Sequence, residues 1–197
     1  MTDTAGRSDT SDPCELWLVR HGETEWSRAG RHTSTTDLPL TDDGTAAAEA
    51  LAPRLAGVDF GLVLTSPRQR ARRTAELCGF PDAEVDDDLV EWAYGDYEGI
   101  TTPQIRETVP GWTVWTHPVP GGESPGEVAR RLDRVVTRAR RTPGRALVFG
   151  HGHALRALTA RWIGQPASGG RFFRLDTSTV SVLGQERETP VLLRWNS

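Results

Sequence analysis

Three short apolar runs constrain the fold more than anything else in this chain, because each breaks at its end into chemistry. Leu16-Trp17-Leu18-Val19 breaks into Arg20-His21-Gly22. Phe60–Thr65 breaks into Ser66, with Arg70 one turn later, and Arg145–Gly150 breaks into His151-Gly152-His153. Apolar runs this short, bounded by Gly and Pro, read as buried strands. Helical patterns follow them. Thr41 caps a helix that runs toward Gly57 and is disturbed near Pro53. Ser66-Pro67 starts a helix ended by Gly79. Ser124-Pro125-Gly126-Glu127 is a capping box that launches a helix to Arg141, and the segment after His151 forms a last helix. Asp82–Val90 holds one short strand, Trp92–Thr102 is a loop rich in aromatics and glycine, and a weak helix lies within Pro103–Pro120. Ser178–Gly184 and Pro190–Trp195 read as two late strands, antiparallel to the others.

Strands followed by helices predict an α/β fold: a three-layer sandwich with a mostly parallel central sheet and helices on both faces. Ligands of such sheets bind beyond the carboxyl ends of the strands. Two arginines and two histidines in those positions are more than stable packing requires. Their convergence is the central expectation.

The 197 residues suit one domain, expected over 15–197, after a polar segment, 1–14, that reads as a disordered tail and not as a signal peptide. No apolar run approaches the roughly 18 residues of a membrane span, so no membrane association is expected and the default location is cytoplasmic. A net charge of −4 without a basic tail argues against nucleic acid as a partner. The chain has no lysine, and all 23 basic residues are arginines. That excludes a phosphate-loop lysine, a Schiff base and a lysine general base. Any anion is therefore bound by Arg, His or backbone.

Several look-alike motifs fail on spacing. Cys14 and Arg20 match the Cys-x5-Arg pattern of cysteine phosphatases, but an extended strand between them would hold thiol and guanidinium about 20 Å apart. The two cysteines, Cys14 and Cys78, read as reduced thiols. Asp86-Asp87-Asp88 resembles an aspartyl-phosphatase start but reads better as a solvated acidic loop. Gly150-His151-Gly152 lacks the third glycine of a dinucleotide loop, which would fall at Leu155. His151 and His153 have no third ligand at turn or helical spacing, so no metal and no other cofactor is expected.

What remains is phosphoryl chemistry. An imidazole at position 21, flanked by guanidinium groups, is biased toward its neutral, nucleophilic form. Transfer to it builds charge on the equatorial oxygens, which Arg20, Arg70, His151 and the backbone at Gly22 and Gly152 are placed to meet. The leaving group needs a proton. Glu91, beside Trp92 and Tyr94, is the best donor, while Glu23 and Glu98 read as exposed carboxylates.

Leu18–Thr24 (LVRHGET), the TSPRQRARRTA segment from Thr65, LVEWAYGDYEG from Leu89, PGGES from Pro120 and GHGHALR from Gly150 together resemble the histidine phosphatase, or phosphoglycerate mutase-like, superfamily. The likeness runs in order from about Leu16 to Ile163. It implies that His21 is the phosphorylated nucleophile and that Glu91 is the proton donor and later the base. Arg20, Arg70 and His151 become the phosphate pocket. The choice of Arg70 over Arg68 comes from the resemblance, since spacing alone leaves it open. Ser27, His32, Thr33, Tyr94 and His153 follow as substrate-pocket candidates, and Trp112, Trp115 and His117 as packing residues or a lid.

Mutases of the superfamily carry a lysine and paired arginines after the glutamate loop. Here that stretch, Gly99–Pro118, has only Arg106. The resemblance is therefore to the small bacterial acid phosphatase branch, with a small phosphorylated metabolite as partner. A mutase or a non-catalytic phospholigand binder are the alternatives, and oligomeric state is open.

Overall fold

A computed structural model describes residues 14–197, so the polar tail, apart from Cys14, lies outside the described residues. The first apolar run forms strand β1 (Glu15–Arg20). A four-residue helix α1 (Glu25–Arg28) follows, capped by Thr24. The segment after Thr41 forms α2 (Asp42–Glu49), with Thr41 Oγ1 accepting the Gly44 N–H, and restarts as α3 (Ala52–Leu55), which places Pro53 in its first turn. Pro53 thus divides the expected single helix, because proline fits a first turn but not a helix interior.

The second run narrows to β2 (Leu62–Thr65). The next helix, α4 (Gln69–Leu77), begins later than Ser66-Pro67 predicts, since Arg68 holds an extended backbone at the N-cap. Gly79, at φ +94°, ends that segment as expected. Strand β3 (Glu84–Val85) is short. Helix α5 (Thr102–Thr108) has a capping box between Thr101 and Gln104, a signal that sits in the Thr-x-x-Gln of the sequence. Helix α6 (Pro125–Arg141) starts at the Ser124 capping box. Then come β4 (Arg145–Gly150), α7 (Gly152–Trp162) and the hairpin β5 (Val180–Glu186) and β6 (Thr189–Arg194).

The sheet runs β3-β2-β4-β1-β5-β6. β1, β2, β3 and β4 are mutually parallel, and β5 lies antiparallel to β1 and to β6. Strand alternation divides the core in two. Leu16, Leu18, Leu64, Ala146 and Val148 pack under α6 and α7 on one face. Val19, Leu147 and Phe149 pack on the other against Leu51, Leu55 and Ala75 of the α2–α4 layer. Each fully buried leucine or valine contributes about 1.5–3 kcal/mol. Among the described residues no helix is long and apolar enough to cross a membrane.

This register positions the chemistry. β4 lies between β1 and β2, with Arg20 opposite Gly150 and Thr65 opposite Phe149. The His21 N–H donates to the Gly150 carbonyl at 3.0 Å and the Ser66 N–H to the Phe149 carbonyl at 3.0 Å, so the three polar strand ends are laced side by side.

Behind them, β1 meets α2 through two glycines. A Cβ on Gly22 would stand 2.4 Å from the Gly44 carbonyl oxygen, and a Cβ on Gly44 2.2 Å from that of Glu23. Both contacts are with backbone, which cannot swing aside. Gly44→Ala is therefore expected to cost about 1–3 kcal/mol through overpacking. A chemical-denaturation curve checks this, and an unchanged midpoint would contradict it.

Candidate active site

A cavity of about 260 Å³ opens at the carboxyl ends of β1 and β4. His21 stands in its wall, only 5% exposed. Its Nδ1 lies 2.7 Å from the Gly22 carbonyl oxygen. A carbonyl can only accept, so the proton is on Nδ1 and the Nε2 lone pair is free. Burial, followed by the charges of Arg70 and Arg20, pushes the His21 pKa well below the usual imidazole range. This side chain is therefore a neutral imidazole with an unprotonated nitrogen.

His151 lies edge-on to His21, ring centroids 5.1 Å apart. Its Nδ1 accepts from Arg70 Nε at 3.2 Å, which leaves the proton on Nε2 to donate to Ser66 Oγ at 2.7 Å. Its pKa is likewise well below normal, chiefly through burial and then Arg70. Arg70 is fully buried. Its Nη groups donate to the carbonyls of Thr36 at 3.0 Å, Thr33 at 3.3 Å and Ser34 at 3.4 Å. Arg70 and His151 thus stand behind His21, and neither forms the cavity wall as expected.

Gly22 also departs from its expected role. Its N–H donates to Thr74 Oγ1 at 3.0 Å, so it is occupied by protein and not offered to a phosphate. Thr74 in turn donates to the Arg70 carbonyl at 2.7 Å. The glycine at this position serves the close approach of α2. Gly152, by contrast, lines the cavity as the first residue of α7, against the Arg20 guanidinium. Arg20 itself lies on the wall, with Nη1 donating to the Leu175 carbonyl at 2.6 Å and a buried Nε that has no partner among the described residues.

Glu91 is 6% exposed and lies on the wall. Its Oε1 accepts from the Trp92 N–H at 2.8 Å and the Ala154 N–H at 2.7 Å, and its Oε2 from the His153 N–H at 2.9 Å. The carboxylate therefore caps the N-terminus of α7, a favourable place for an anion. The loop that delivers it is held by Arg131. That guanidinium donates to the carbonyls of Asp88 and Val90, each at 2.8 Å, and forks onto Glu123, which also accepts the Ala93 N–H.

The five substrate-pocket candidates Ser27, His32, Thr33, Tyr94 and His153 all line the cavity. Tyr94 keeps its proton, since burial and then the Glu91 charge push its pKa well up, and its hydroxyl donates to His153 Nδ1 at 2.5 Å. Glu98 is not the exposed carboxylate expected. It accepts from the N–H of Ser34 and of Thr36, fixing the loop whose carbonyls hold Arg70. Burial raises its pKa, but these bonds outweigh burial and leave it low. Trp112 and Trp115 are buried packing, edge-on to His32 and His153 respectively, and His117 lies off the cavity.

Sequence reasoning missed Thr24, Gly30, Arg31, Thr102, Arg156 and Leu175 on the wall. Arg156 was detectable, three residues after His153 and hence on the same helical face. Leu175 lies in an irregular segment without a pattern. Among the described residues, no group of three or more His, Cys, Asp or Glu is arranged to hold a metal ion.

Known proteins resemble this chain in sequence and in fold. The sequence profile described as "Histidine phosphatase superfamily (branch 1)" matches residues 16–197. An acid phosphatase of Mycobacterium tuberculosis is 46% identical over 176 residues, covering 87% of this chain and 86% of that protein. The adenosylcobalamin/alpha-ribazole phosphatase of Escherichia coli is 32% identical, covering 92% and 95%. The solved structure of an open-reading-frame product of M. tuberculosis superposes with a TM-score of 0.88 at 41% identity, covering 92% of this chain and 96% of that one.

The neutral, buried histidines make stability depend on pH. His21, His151 and His153 have depressed pKa values and His32 is lowered to about 4, burial being the first cause in each. A histidine with a depressed folded pKa contributes stability above its unfolded value, roughly 6.5, and loses it as pH falls toward the folded value. Each such group contributes a slope of up to about 1.4 kcal/mol per pH unit in that window. Urea unfolding of the ligand-free protein should therefore show a steep loss of stability from pH 6.5 to 4.5. A flat profile would contradict the neutral assignment.

Proposed function

The chain belongs to the histidine phosphatase superfamily, and from that premise we propose that it hydrolyses small phosphomonoesters by passing the phosphoryl group through Nε2 of His21. It is a phosphatase, and the reaction needs a nucleophile, an anion clamp and a proton carrier. The observation that carries the reading is the hydrogen bond from His21 to the Gly22 carbonyl, which commits Nδ1 and leaves Nε2 free at the cavity wall.

In the proposed first step, the Nε2 lone pair attacks phosphorus as the bond from phosphorus to the ester oxygen breaks. Glu91 delivers a proton to the departing oxygen. Water then attacks the phosphohistidine, giving its proton to Glu91, and inorganic phosphate leaves with His21 restored. Arg20 on the wall, Arg70 and His151 behind the nucleophile and the Gly152 N–H at the start of α7 form the set that stabilises developing negative charge. The depressed pKa of His21 suits an acid phosphatase, because the imidazole stays unprotonated below the pH at which an ordinary histidine charges.

Hydrolysis is favoured over mutase chemistry by the segment after the glutamate loop. Its single cation, Arg106, donates to the Trp112 carbonyl at 2.8 Å, and the segment contributes Thr102 alone to the cavity wall.

Assayed with a chromogenic phosphomonoester in the presence of a chelator between about pH 5 and 8, a range around the ordinary imidazole pKa, the protein should release phosphate. Loss of all turnover in chelator would refute the reading. His21→Ala should abolish turnover. Glu91→Gln should slow esters with poor leaving groups far more than those with good ones, and an equal effect on both would remove Glu91 from the acid role.

A further inference from the structure

The β5–β6 hairpin brings one residue to the back of the phosphate clamp. β5 runs against β1, so its start, Val180, stands opposite Val19 at the end of β1. β6 runs against β5, so its end, Arg194, stands opposite Val182. Residues 175–179, which lead into β5, and 195–197, which follow β6, therefore meet beside Arg20. The first of these segments is irregular, and no strand ladder fixes the directions of its carbonyls.

Arg20 depends on that irregular segment. Its Nη1 donates to the Leu175 carbonyl at 2.6 Å, the one hydrogen bond its guanidinium makes among the described residues, and its Nε is buried without a partner there. The Arg20 backbone is tied to the same turn, since the Ser178 N–H donates to the Arg20 carbonyl at 3.2 Å. The aim of the guanidinium is thus set by the direction of one carbonyl. That carbonyl shares a planar peptide group with the Asp176 N–H, and in a trans peptide the two point in opposite directions. The Asp176 N–H donates to Oδ1 of Asn196 at 2.7 Å, and Nδ2 of Asn196 donates back to Asp176 Oδ2 at 2.9 Å. One rigid plane carries Asn196 at one end and Arg20 at the other. A hydrogen bond at the N–H end also polarises the C=O end and strengthens its hold on the cation. Asn196 is itself fixed: its N–H donates to the buried Ser181 Oγ at 2.9 Å, and its φ of +52° is a conformation that asparagine adopts more readily than most residues. Neither Asn196 nor Asp176 lines the cavity.

We propose that Asn196 is a positioning residue for the reaction: through the peptide between Leu175 and Asp176 it aims the Arg20 guanidinium at the phosphoryl group carried by His21. This rests on the phosphatase reading of the cavity, which assigns Arg20 to that group. Asn196 touches no substrate, so its loss acts through the clamp. A residue that merely stabilised the hairpin would, when lost, leave the remaining folded protein with an unaltered clamp.

Asn196→Gly removes both side-chain hydrogen bonds while tolerating the positive φ. The test measures inhibition of p-nitrophenyl phosphate hydrolysis by orthovanadate, an oxyanion that occupies a phosphoryl clamp, in the wild-type protein, Asn196→Gly, Arg20→Gln and the double variant. An inhibition constant does not depend on how much of the protein is folded, so a general loss of stability cancels. Loss of one well-aimed, charge-assisted contact predicts a rise of about tenfold in Asn196→Gly. Arg20→Gln should raise the constant at least as much, and the double variant no further than Arg20→Gln alone. A constant unchanged by Asn196→Gly, or raised by the same factor in both backgrounds, overturns the positioning role and leaves the phosphatase reading standing. If Asn196→Gly yields no folded protein, Asn196→Asp runs the same cycle with the same two outcomes, since it sets a carboxylate against that of Asp176. A variant without measurable turnover enters the cycle through calorimetric titration with inorganic phosphate. Absence of turnover in the wild-type protein overturns the phosphatase reading instead, and the cycle in phosphate affinity still decides the role of Asn196.

Discussion

A fully buried guanidinium, that of Arg70, is the interaction on which the site depends. It joins three parts of the chain that share no sequence proximity: the carbonyls of Thr33, Ser34 and Thr36, the ring of His151 at the start of α7, and its own helix α4. Its nearest carboxylate, Asp37, is 3.9 Å away, so the charge is stabilised mainly by oriented carbonyl dipoles and not by a close ion pair. The field of that charge falls on the two histidines beside it and is the second cause, after burial, of the depressed pKa of each. Burial first, and then this charge, keeps the ring of His21 neutral. Thr74 completes the arrangement by accepting the Gly22 N–H and donating to the Arg70 carbonyl, so that one hydroxyl ties the backbone beside His21 to that of Arg70.

The second constraint is the N-terminus of α7. A helix start presents N–H groups that must find partners. Here Glu91 takes two of them, those of His153 and Ala154, and in doing so is brought to the wall near His21. The glutamate arrives on a loop with little regular structure, and the buried Arg131, paired with the half-buried Glu123, holds that loop to α6. This gives the PGGES segment a physical purpose. Its glutamate anchors the loop of the proposed proton carrier, and its serine starts the helix that supplies Arg131.

Much of this was legible in the sequence because it depends on local patterns. β4 was read with its observed limits, the Ser124 capping box placed α6, and the late strands were assigned their antiparallel sense. The adjacency of the three polar strand ends follows from parallel strand order, which alternating strands and helices imply. What could not be read were hydrogen-bond assignments between distant segments. Gly22 looked like an anion donor because glycine permits close approach, yet the approaching group is the backbone of Gly44. Glu98 read as an exposed carboxylate because nothing beside it in sequence names a partner, yet it orders the loop at Ser34 and Thr36. Arg156 was overlooked although it stands one helical turn from His153, because the contacts that hold it on the wall, with the Trp115 ring and the Gly170 carbonyl, join segments distant in sequence.

The central claim is that the free nitrogen of His21 carries the phosphoryl group between substrate and water. Rapid-quench mixing with a radiolabelled phosphomonoester, followed by alkaline digestion and peptide mapping, tests it most directly. The account predicts an acid-labile, alkali-stable phosphoryl group on Nε2 of His21 that forms and decays within a turnover. Label on any other residue, or on Nδ1, would contradict it.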